Sequence, residues 1–98
     1  MTPTVSACVI ARNEADELAD CLATLRWADE LVVVDDESTD ETVKVAERFT
    51  PRVLVRAKND DFAAQRNFAL DTASGDWVLF VDADERVSEA LRLSLIHI

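Results

Sequence analysis

One continuous stretch, LVVVDDESTDET at residues 31–42, predicts a strand, an acidic turn and the start of a helix. Its four leading apolar residues include three valines and are typical of a strand buried on both faces, as in parallel sheets. The acid pair Asp35 and Asp36 follows this strand directly. Ser38 and Glu41 have the S-x-x-E spacing of a capping box, which predicts that a helix begins there.

The segment before this stretch has the same pattern of a strand followed by a helix. Residues 5–11, VSACVIA, form a nearly continuous apolar run and predict another buried strand. Asn13 is expected to cap the next helix, with Glu14 in its first turn. The apolar residues of that helix recur at the i, i+3, i+4 and i+7 spacing of one buried face, at Leu18, Cys21, Leu22 and Leu25.

The pattern continues after the central stretch. Residues 53–55 predict a third short strand, and residues 62–73 predict a helix closed by Gly75, the single glycine of the chain. Residues 77–81 are a further apolar run and predict the fourth strand. Alternating strands and helices predict the α/β class: a mainly parallel sheet with helices on both faces.

The chain has 98 residues, which corresponds to one small domain or part of a larger one. We assign residues 1–92 to one incomplete domain and keep residues 93–98, including His97, out of the fold prediction, because they have no polar helical face and no cap. Ser88 is expected to cap a short helix before that tail.

Composition excludes several classes of function. Twenty acidic residues against ten basic ones give a net charge of −10, which opposes binding to nucleic acid. No apolar run approaches the ~20 residues that a membrane span needs. The amino terminus shows no export signal, so the expected location is the cytoplasm. Cys8 and Cys21 fall in a strand and on an apolar helix face, and are expected to be buried, unpaired thiols.

Acidic residues follow the strands at the edge where open parallel sheets bind their ligands. Residues 35–36 are Asp-Asp, and residues 82–85 are Asp-Ala-Asp-Glu. Oxygen ligands without Cys or His favour hard cations such as Mg²⁺ or Mn²⁺. A single glycine excludes both the G-x-G-x-x-G loop and the Walker A loop. The sequence therefore predicts a divalent cation that neutralises a diphosphate, with Arg66 or Arg12 as a further phosphate contact.

These acidic groups also have structural alternatives. Paired acids after a strand serve as turn and N-cap residues, which applies to Asp36 and Ser38. For Asp82 and Asp84 the alternative is a solvated turn, although three acids directly after an apolar strand offer folding no evident benefit. For Arg66 the alternative is an exposed charge on a helix.

Four motifs occur in one order along the chain: SACVIARNE at 6–14, ADELVVVDDESTDET at 28–42, FAAQRNFAL at 62–70 and GDWVLFVDADERV at 75–87. In this order they resemble the amino-terminal half of family 2 glycosyltransferases, which have the GT-A fold with its Rossmann-like nucleotide-binding half. The likeness covers residues 4 to about 92. It is greatest for bacterial lipopolysaccharide-core glucosyltransferases of the β-1,4 type.

The resemblance implies roles for individual residues. Beside the nucleotide it places Ala11, Asn13 and Glu14. It implies that Asp35 accepts a hydrogen bond from a uracil ring and that Asp36 matches the acid pair of the wider family. Glu37 stands where the family usually has a glycine.

The same resemblance assigns the D-x-D motif and the helix before it. Arg66 matches the arginine that lies near the ribose and phosphates. Asp82 would contact the ribose and, with Asp84, the divalent metal that bridges the diphosphate oxygens. Ala83 lies between them in the donor site, and Glu85 continues the acidic run.

The reaction that the resemblance implies is transfer of a hexose from a UDP-sugar to an acceptor hydroxyl, with inversion at the anomeric carbon. The acceptor would be a glycan or lipid-linked saccharide of the cell surface, such as lipopolysaccharide. The inner face of the cytoplasmic membrane is the second expected location, through peripheral association of the parent enzyme. The catalytic base of family members lies in the carboxyl-terminal half, so we expect these residues alone to be inactive.

The main alternative is a phospho-acceptor receiver domain of a signalling protein. Its signature also contains an apolar strand ending in an acid pair, as at residues 31–36, and a phosphorylatable aspartate after a later strand, as Asp82. Against it, a strand and a helix precede the acid pair, and no later strand supplies the required lysine. A phosphatase of the haloacid dehalogenase type also uses D-x-D, but after its first strand.

Overall fold

The computed structural model describes residues 3–88 and contains four strands alternating with three helices. The elements are β1 Val5–Ala11, α1 Ala15–Ala23, β2 Glu30–Asp35, α2 Thr42–Glu47, β3 Val53–Val55, α3 Phe62–Thr72 and β4 Trp77–Asp82. The predicted alternation of strands and helices is therefore confirmed. The helix expected after Ser88, the tail 93–98 and His97 lie outside the described residues.

The four strands form one parallel sheet in the order β3-β2-β1-β4. Cys8 lies at the centre of the sheet, with Val32 of β2 on one side and Phe80 of β4 on the other. The chain builds outward from β1 to β3 and then crosses back, so that β4 pairs with the free edge of β1. Strand order therefore reverses between β1 and β4, and ligands bind at this kind of position in open α/β sheets.

Helices cover both faces of the sheet, as the sequence predicts. On one face, α1 and α2 pack on the alternate strand residues that include Val9 and Val33. On the other face, α3 packs through Ala69 on the residues between them, such as Cys8 and Val32. Burial of successive residues on opposite faces explains why the strands are continuous apolar runs.

The starts of the first two helices differ from the prediction. Asn13 has a left-handed backbone (φ 51°) and lies before Glu14, so it does not cap α1. Its side-chain oxygen accepts a hydrogen bond from the Thr39 backbone N–H at 2.7 Å. Ser38 does not cap α2 either, since its hydroxyl donates to Asp35 at 2.5 Å and α2 begins only at Thr42. Asn13 and Ser38 therefore form hydrogen bonds with loop and strand-end residues instead of capping the helices.

Gly75 serves a purpose other than the predicted helix closure. α3 ends at Thr72, and Gly75 does not have a left-handed backbone. A Cβ at position 75 would lie 2.6 Å from the Ser6 hydroxyl oxygen and 2.8 Å from the Ser6 nitrogen. The Gly75 N–H donates to that hydroxyl at 2.8 Å. A glycine is needed here because two backbone segments approach closely.

Two further predictions concern the whole described chain. Cys8 and Cys21 are both buried and unpaired, as expected, and burial raises the pKa of each thiol to about 11. Within residues 3–88, no helix has the length and apolar character to cross a membrane.

Candidate functional site

A cleft of about 600 Å³ opens at the carboxyl ends of β1 and β4, beside the first turns of α3. This is the point of the sheet where strand order reverses. Of the residues that the sequence singled out, the cleft is lined by Ala11, Arg12, Glu14, Asp36, Arg66, Asp82, Ala83, Asp84 and Glu85. The predicted convergence of strand-end residues therefore occurs.

One wall of the cleft is an acidic turn at residues 82–85. The Asp82 N–H donates to the Glu85 side chain at 2.7 Å, and the Glu85 N–H donates back to the Asp82 carbonyl at 2.9 Å. Ala83 is 1% exposed and anchors the turn in the core, whereas the side chains of Asp82 and Asp84 are exposed. Both carboxylates are thus available to a ligand in the cleft.

Glu14 lies on the same wall, and burial and its acidic neighbours raise the pKa of its carboxyl. Burial raises the pKa of its carboxyl, and the nearby carboxylates of Asp84 and Asp82 raise it further. The Arg12 backbone N–H, at 3.4 Å from a Glu14 oxygen, opposes this effect. Because negative charge at this wall is already unfavourable, a cation placed here would be stabilised.

The opposite wall is basic and aromatic. The Arg66 guanidinium lies 4.5 Å from the centre of the Phe80 ring, and the Lys58 ammonium lies 4.0 Å from the centre of the Phe62 ring. Both aromatic rings also line the cleft. A ring face holds each cation in place without neutralising it, so both charges stay available to an anionic ligand.

Asp36 connects the loop that carries Lys58 to Arg12, the residue after β1. Its side chain accepts a hydrogen bond from the Lys58 backbone N–H at 2.8 Å and lies 3.6 Å from the Arg12 guanidinium. Asp36 is 6% exposed, so it acts mainly on the loop that carries Lys58. Sequence analysis missed Lys58, although a residue shortly after β3 is expected at this edge of the sheet.

Two other predicted residues do not line the cleft. Asp35 is 1% exposed, and both of its oxygens accept hydrogen bonds from Ser38, at 2.5 Å from the hydroxyl and 2.8 Å from the backbone N–H. Asn13 is exposed outside the cleft and binds the Thr39 segment. In this conformation a uracil ring would reach Asp35 only after Ser38 moved.

The acidic wall does not form a complete metal cage by itself. In the described range, no three His, Cys, Asp or Glu side chains are grouped closely enough to hold a metal ion. Exposed carboxylates at Asp82 and Asp84 are hard oxygen donors that fit Mg²⁺ or Mn²⁺. Such an ion would need additional oxygen ligands from water or from the bound molecule, as is usual for Mg²⁺ with phosphates.

A family model described as "Glycosyl transferase family 2" matches residues 6–96. A TPR repeat-containing protein of Synechococcus elongatus is 44% identical over 85% of this chain, which covers 21% of that protein. An uncharacterized glycosyltransferase of Rickettsia conorii is 35% identical over the whole chain, which covers 35% of that protein. The chain thus spans about a fifth to a third of the length of these relatives.

Among solved structures, S. aureus TarS 1-349 in complex with UDP is similar to this chain. The TM-score is 0.77 and the sequence identity 31%, with 94% of this chain and 31% of the TarS 1-349 chain covered. The same protein has also been solved in complex with UDP-GlcNAc.

Proposed function

The chain belongs to glycosyl transferase family 2, and on that premise we propose that it forms the donor-binding part of an enzyme that transfers a hexose from a UDP-sugar. The observation that carries this proposal is the pairing of an exposed acidic turn with a basic wall across one cleft. The acidic turn would hold a divalent metal that neutralises a sugar diphosphate, and the basic wall offers fixed cations to the phosphate oxygens.

Different residues of the cleft bind different parts of the donor. We place the diphosphate between Asp82 and Asp84, which would hold Mg²⁺ or Mn²⁺, and the side chains of Arg66 and Lys58. The metal supplies Lewis acidity to the departing UDP, where negative charge grows as the glycosidic bond breaks. Arg66 and Lys58 stabilise the same charge from the opposite wall. The nucleoside lies toward Ala11 and the adjoining loop.

The proposed transfer inverts the anomeric carbon and ends on a hydroxyl of a glycan or lipid-linked saccharide, as in lipopolysaccharide synthesis. A base must take the proton of that hydroxyl. We propose that this base and the acceptor site belong to a part of the protein beyond these residues, since the chain covers only part of its relatives. Residues 3–88 then bind the donor without transferring it. The TarS complexes with UDP and UDP-GlcNAc support the choice of donor.

The experiment is a calorimetric titration of the chain with UDP, with and without Mn²⁺. We expect binding that depends on Mn²⁺ and that Asp84→Ala abolishes. Asp71→Ala is the matched control, because Asp71 is exposed on α3 and does not line the cleft. UDP binding that is equally strong in Asp84→Ala and wild type would contradict the proposed metal site.

The receiver domain is not favoured, because the family model spans the whole region in which its acid pair and aspartate lie. Incubation with acetyl phosphate distinguishes a receiver domain from the proposed glycosyltransferase. A receiver would be labelled at Asp82, whereas we expect no labelling of the chain.

A further inference from the structure

Arg86 connects the acidic turn at residues 82–85 to helix α1. One guanidinium nitrogen donates to the backbone carbonyls of Glu85 at 2.9 Å and Ala83 at 3.3 Å. The other donates to the Glu17 carboxylate at 2.7 Å and lies 3.9 Å from the Asp20 carboxylate. A single side chain therefore holds two carbonyls of the turn and two acids of the helix.

Two uncharged contacts also join this region to α1 and to Thr24, the residue after it. The Cys21 thiol lies 3.5 Å from the Asp82 carbonyl, and the Val87 N–H donates to the Thr24 hydroxyl at 3.1 Å. Thiols are weak donors. Among the residues that the structure describes, Arg86 is thus the one charged connection recorded between this turn and the helix.

The turn depends on such a connection because of its position. It follows β4, which pairs with β1 alone among the described strands, and of its four residues Ala83 alone is buried. Beside the turn, the carboxylates of Asp84, Asp82 and Glu17 all disfavour the charged form of Glu14. A metal bound by two carboxylates needs their oxygens at fixed positions, and outer residues usually supply this constraint.

We propose that Arg86 is a positioning residue for the metal-binding turn, with Glu17 as its anchor on α1. Its planar fork fixes the backbone of the turn so that Asp82 and Asp84 face the cleft together. The proposal rests on the proposed function, since it takes these two carboxylates as the metal ligands. Arg86 itself does not line the cleft and contacts neither donor nor metal.

Two substitutions separate geometry from charge. Arg86→Lys keeps the positive charge but loses the fork, which a point-like ammonium cannot reproduce. Arg86→Gln loses both the positive charge and the planar fork. We expect each to weaken Mn²⁺-dependent UDP binding by about 10-fold or more, the usual effect of removing an outer support of a metal site. Without Mn²⁺, where we expect little or no UDP binding in wild type, the two variants should not differ from wild type, because the carboxylates act through the metal. A Lys variant that binds UDP and Mn²⁺ like wild type would overturn the proposal.

Arg48→Gln is the matched control, since Arg48 is exposed just after α2 and is not a cleft residue. It makes the same charge change and should leave UDP binding unaltered. Glu17→Gln tests the anchor: its effect should not add to that of Arg86→Gln in a double-mutant cycle. Additive effects would mean that the two residues act separately, and would overturn the role of Glu17.

A second measurement does not depend on UDP. The Glu85 N–H donates to the Asp82 carbonyl, so its hydrogen exchange reports the order of the turn. We expect faster exchange in Arg86→Lys, without a matching change in the strand amides of β1. Unchanged exchange would overturn the positioning role. If wild type binds no UDP with Mn²⁺, the proposed function fails, and this exchange result still decides whether Arg86 holds the turn.

Discussion

At the scale of single residues, the loops at the carboxyl edge of the sheet contain the backbone strain of the described chain. Among residues 3–88, a left-handed backbone occurs at Asn13, Glu37, Asn59 and Asp60. All four lie in loops that follow a strand and border the cleft side of the sheet. The φ of Glu37 is 50°, a conformation that a glycine would adopt without the steric cost of a side chain. Such strain often accompanies binding sites.

Ionisation of the Glu14 carboxyl makes the unfolding free energy of the chain depend on pH. The pKa of its carboxyl is raised in the folded chain, first by burial and then by Asp84 and Asp82. Folding therefore favours the protonated form, and the unfolding free energy contributed by Glu14 falls as pH rises through that pKa. We expect Glu14→Gln to have a higher unfolding free energy than wild type at about pH 7, with the difference lost at about pH 4.

Urea denaturation at several pH values checks this prediction. Glu47→Gln is the control, because Glu47 is exposed on α2, away from the cleft. Its stability should follow that of wild type across the whole pH range. Parallel profiles for Glu14→Gln and wild type would show that the Glu14 charge is not unfavourable in the folded chain.

Local sequence could not predict several roles in the site, because the partners are distant. Ser38 has the spacing of a helix cap, yet it bonds to Asp35 and to the Asn13 backbone N–H. Lys58 has no local signal, and its place depends on the hydrogen bond to Asp36. By contrast, Asp82 and Asp84 follow directly from the apolar run of β4, so their position at the edge of the sheet was predictable.

At the scale of elements, α3 has few buried residues and depends on its ends. Of its residues, Gln65 and Ala69 are buried. Gln65 is 0% exposed and bonds to Arg56 through both its side-chain groups, at 2.6 Å to the carbonyl and 2.8 Å to the guanidinium. This helix also carries Arg66, so its stability matters to the basic wall of the cleft.

Asp61 caps α3 by accepting a hydrogen bond from the Ala64 N–H at 2.9 Å. We expect Asp61→Ala to lower the unfolding free energy by about 1 kcal/mol, because that N–H loses its partner. Asp61→Asn is the matched control, since an amide oxygen retains the cap, and should cost only a few tenths of that. Urea melts of the three proteins measure the difference. Equal losses in Ala and Asn would mean that charge, rather than the hydrogen bond, is what Asp61 contributes.

The strands were more predictable than the helix starts for a physical reason. Each strand is a continuous apolar run because both of its faces are covered, and such a run is visible without knowledge of its partners. The first turns of α1 and α2 instead adapt to neighbouring loops: the Thr42 hydroxyl accepts from the Glu14 N–H at 3.0 Å, and Asp40 accepts from the Thr42 N–H at 2.9 Å. The contact between Glu14 and Thr42, which are 28 residues apart, exists only once the sheet has brought their loops together.

At the scale of the whole molecule, β4 forms one edge of the sheet. Among the described residues its outer edge is unpaired, and Trp77 at its start is 50% exposed. An exposed apolar edge promotes pairing with another chain, and a lysine on it opposes such pairing. We therefore expect the chain to self-associate and Trp77→Lys to reduce this association.

Light scattering over a range of concentrations measures the effect. Val55→Lys is the control, because Val55 is 58% exposed on β3, the opposite edge of the sheet. If the chains associate through β4, Trp77→Lys lowers the average molar mass and Val55→Lys does not. A monodisperse monomer in wild type would contradict the prediction.

The position of β1 between β2 and β4 has a consequence for synthesis on the ribosome. Thr4 and Asp76, which bond at 2.9 Å beside the β1–β4 pair, are 72 residues apart in sequence. A nascent chain can assemble β1, β2 and β3 while one edge of β1 still awaits its partner. The cleft gains its acidic wall only when β4 emerges, so the four-stranded sheet and its cleft are completed by the same late step. Translation that halts before β4 would leave the central strand as a target for chaperones.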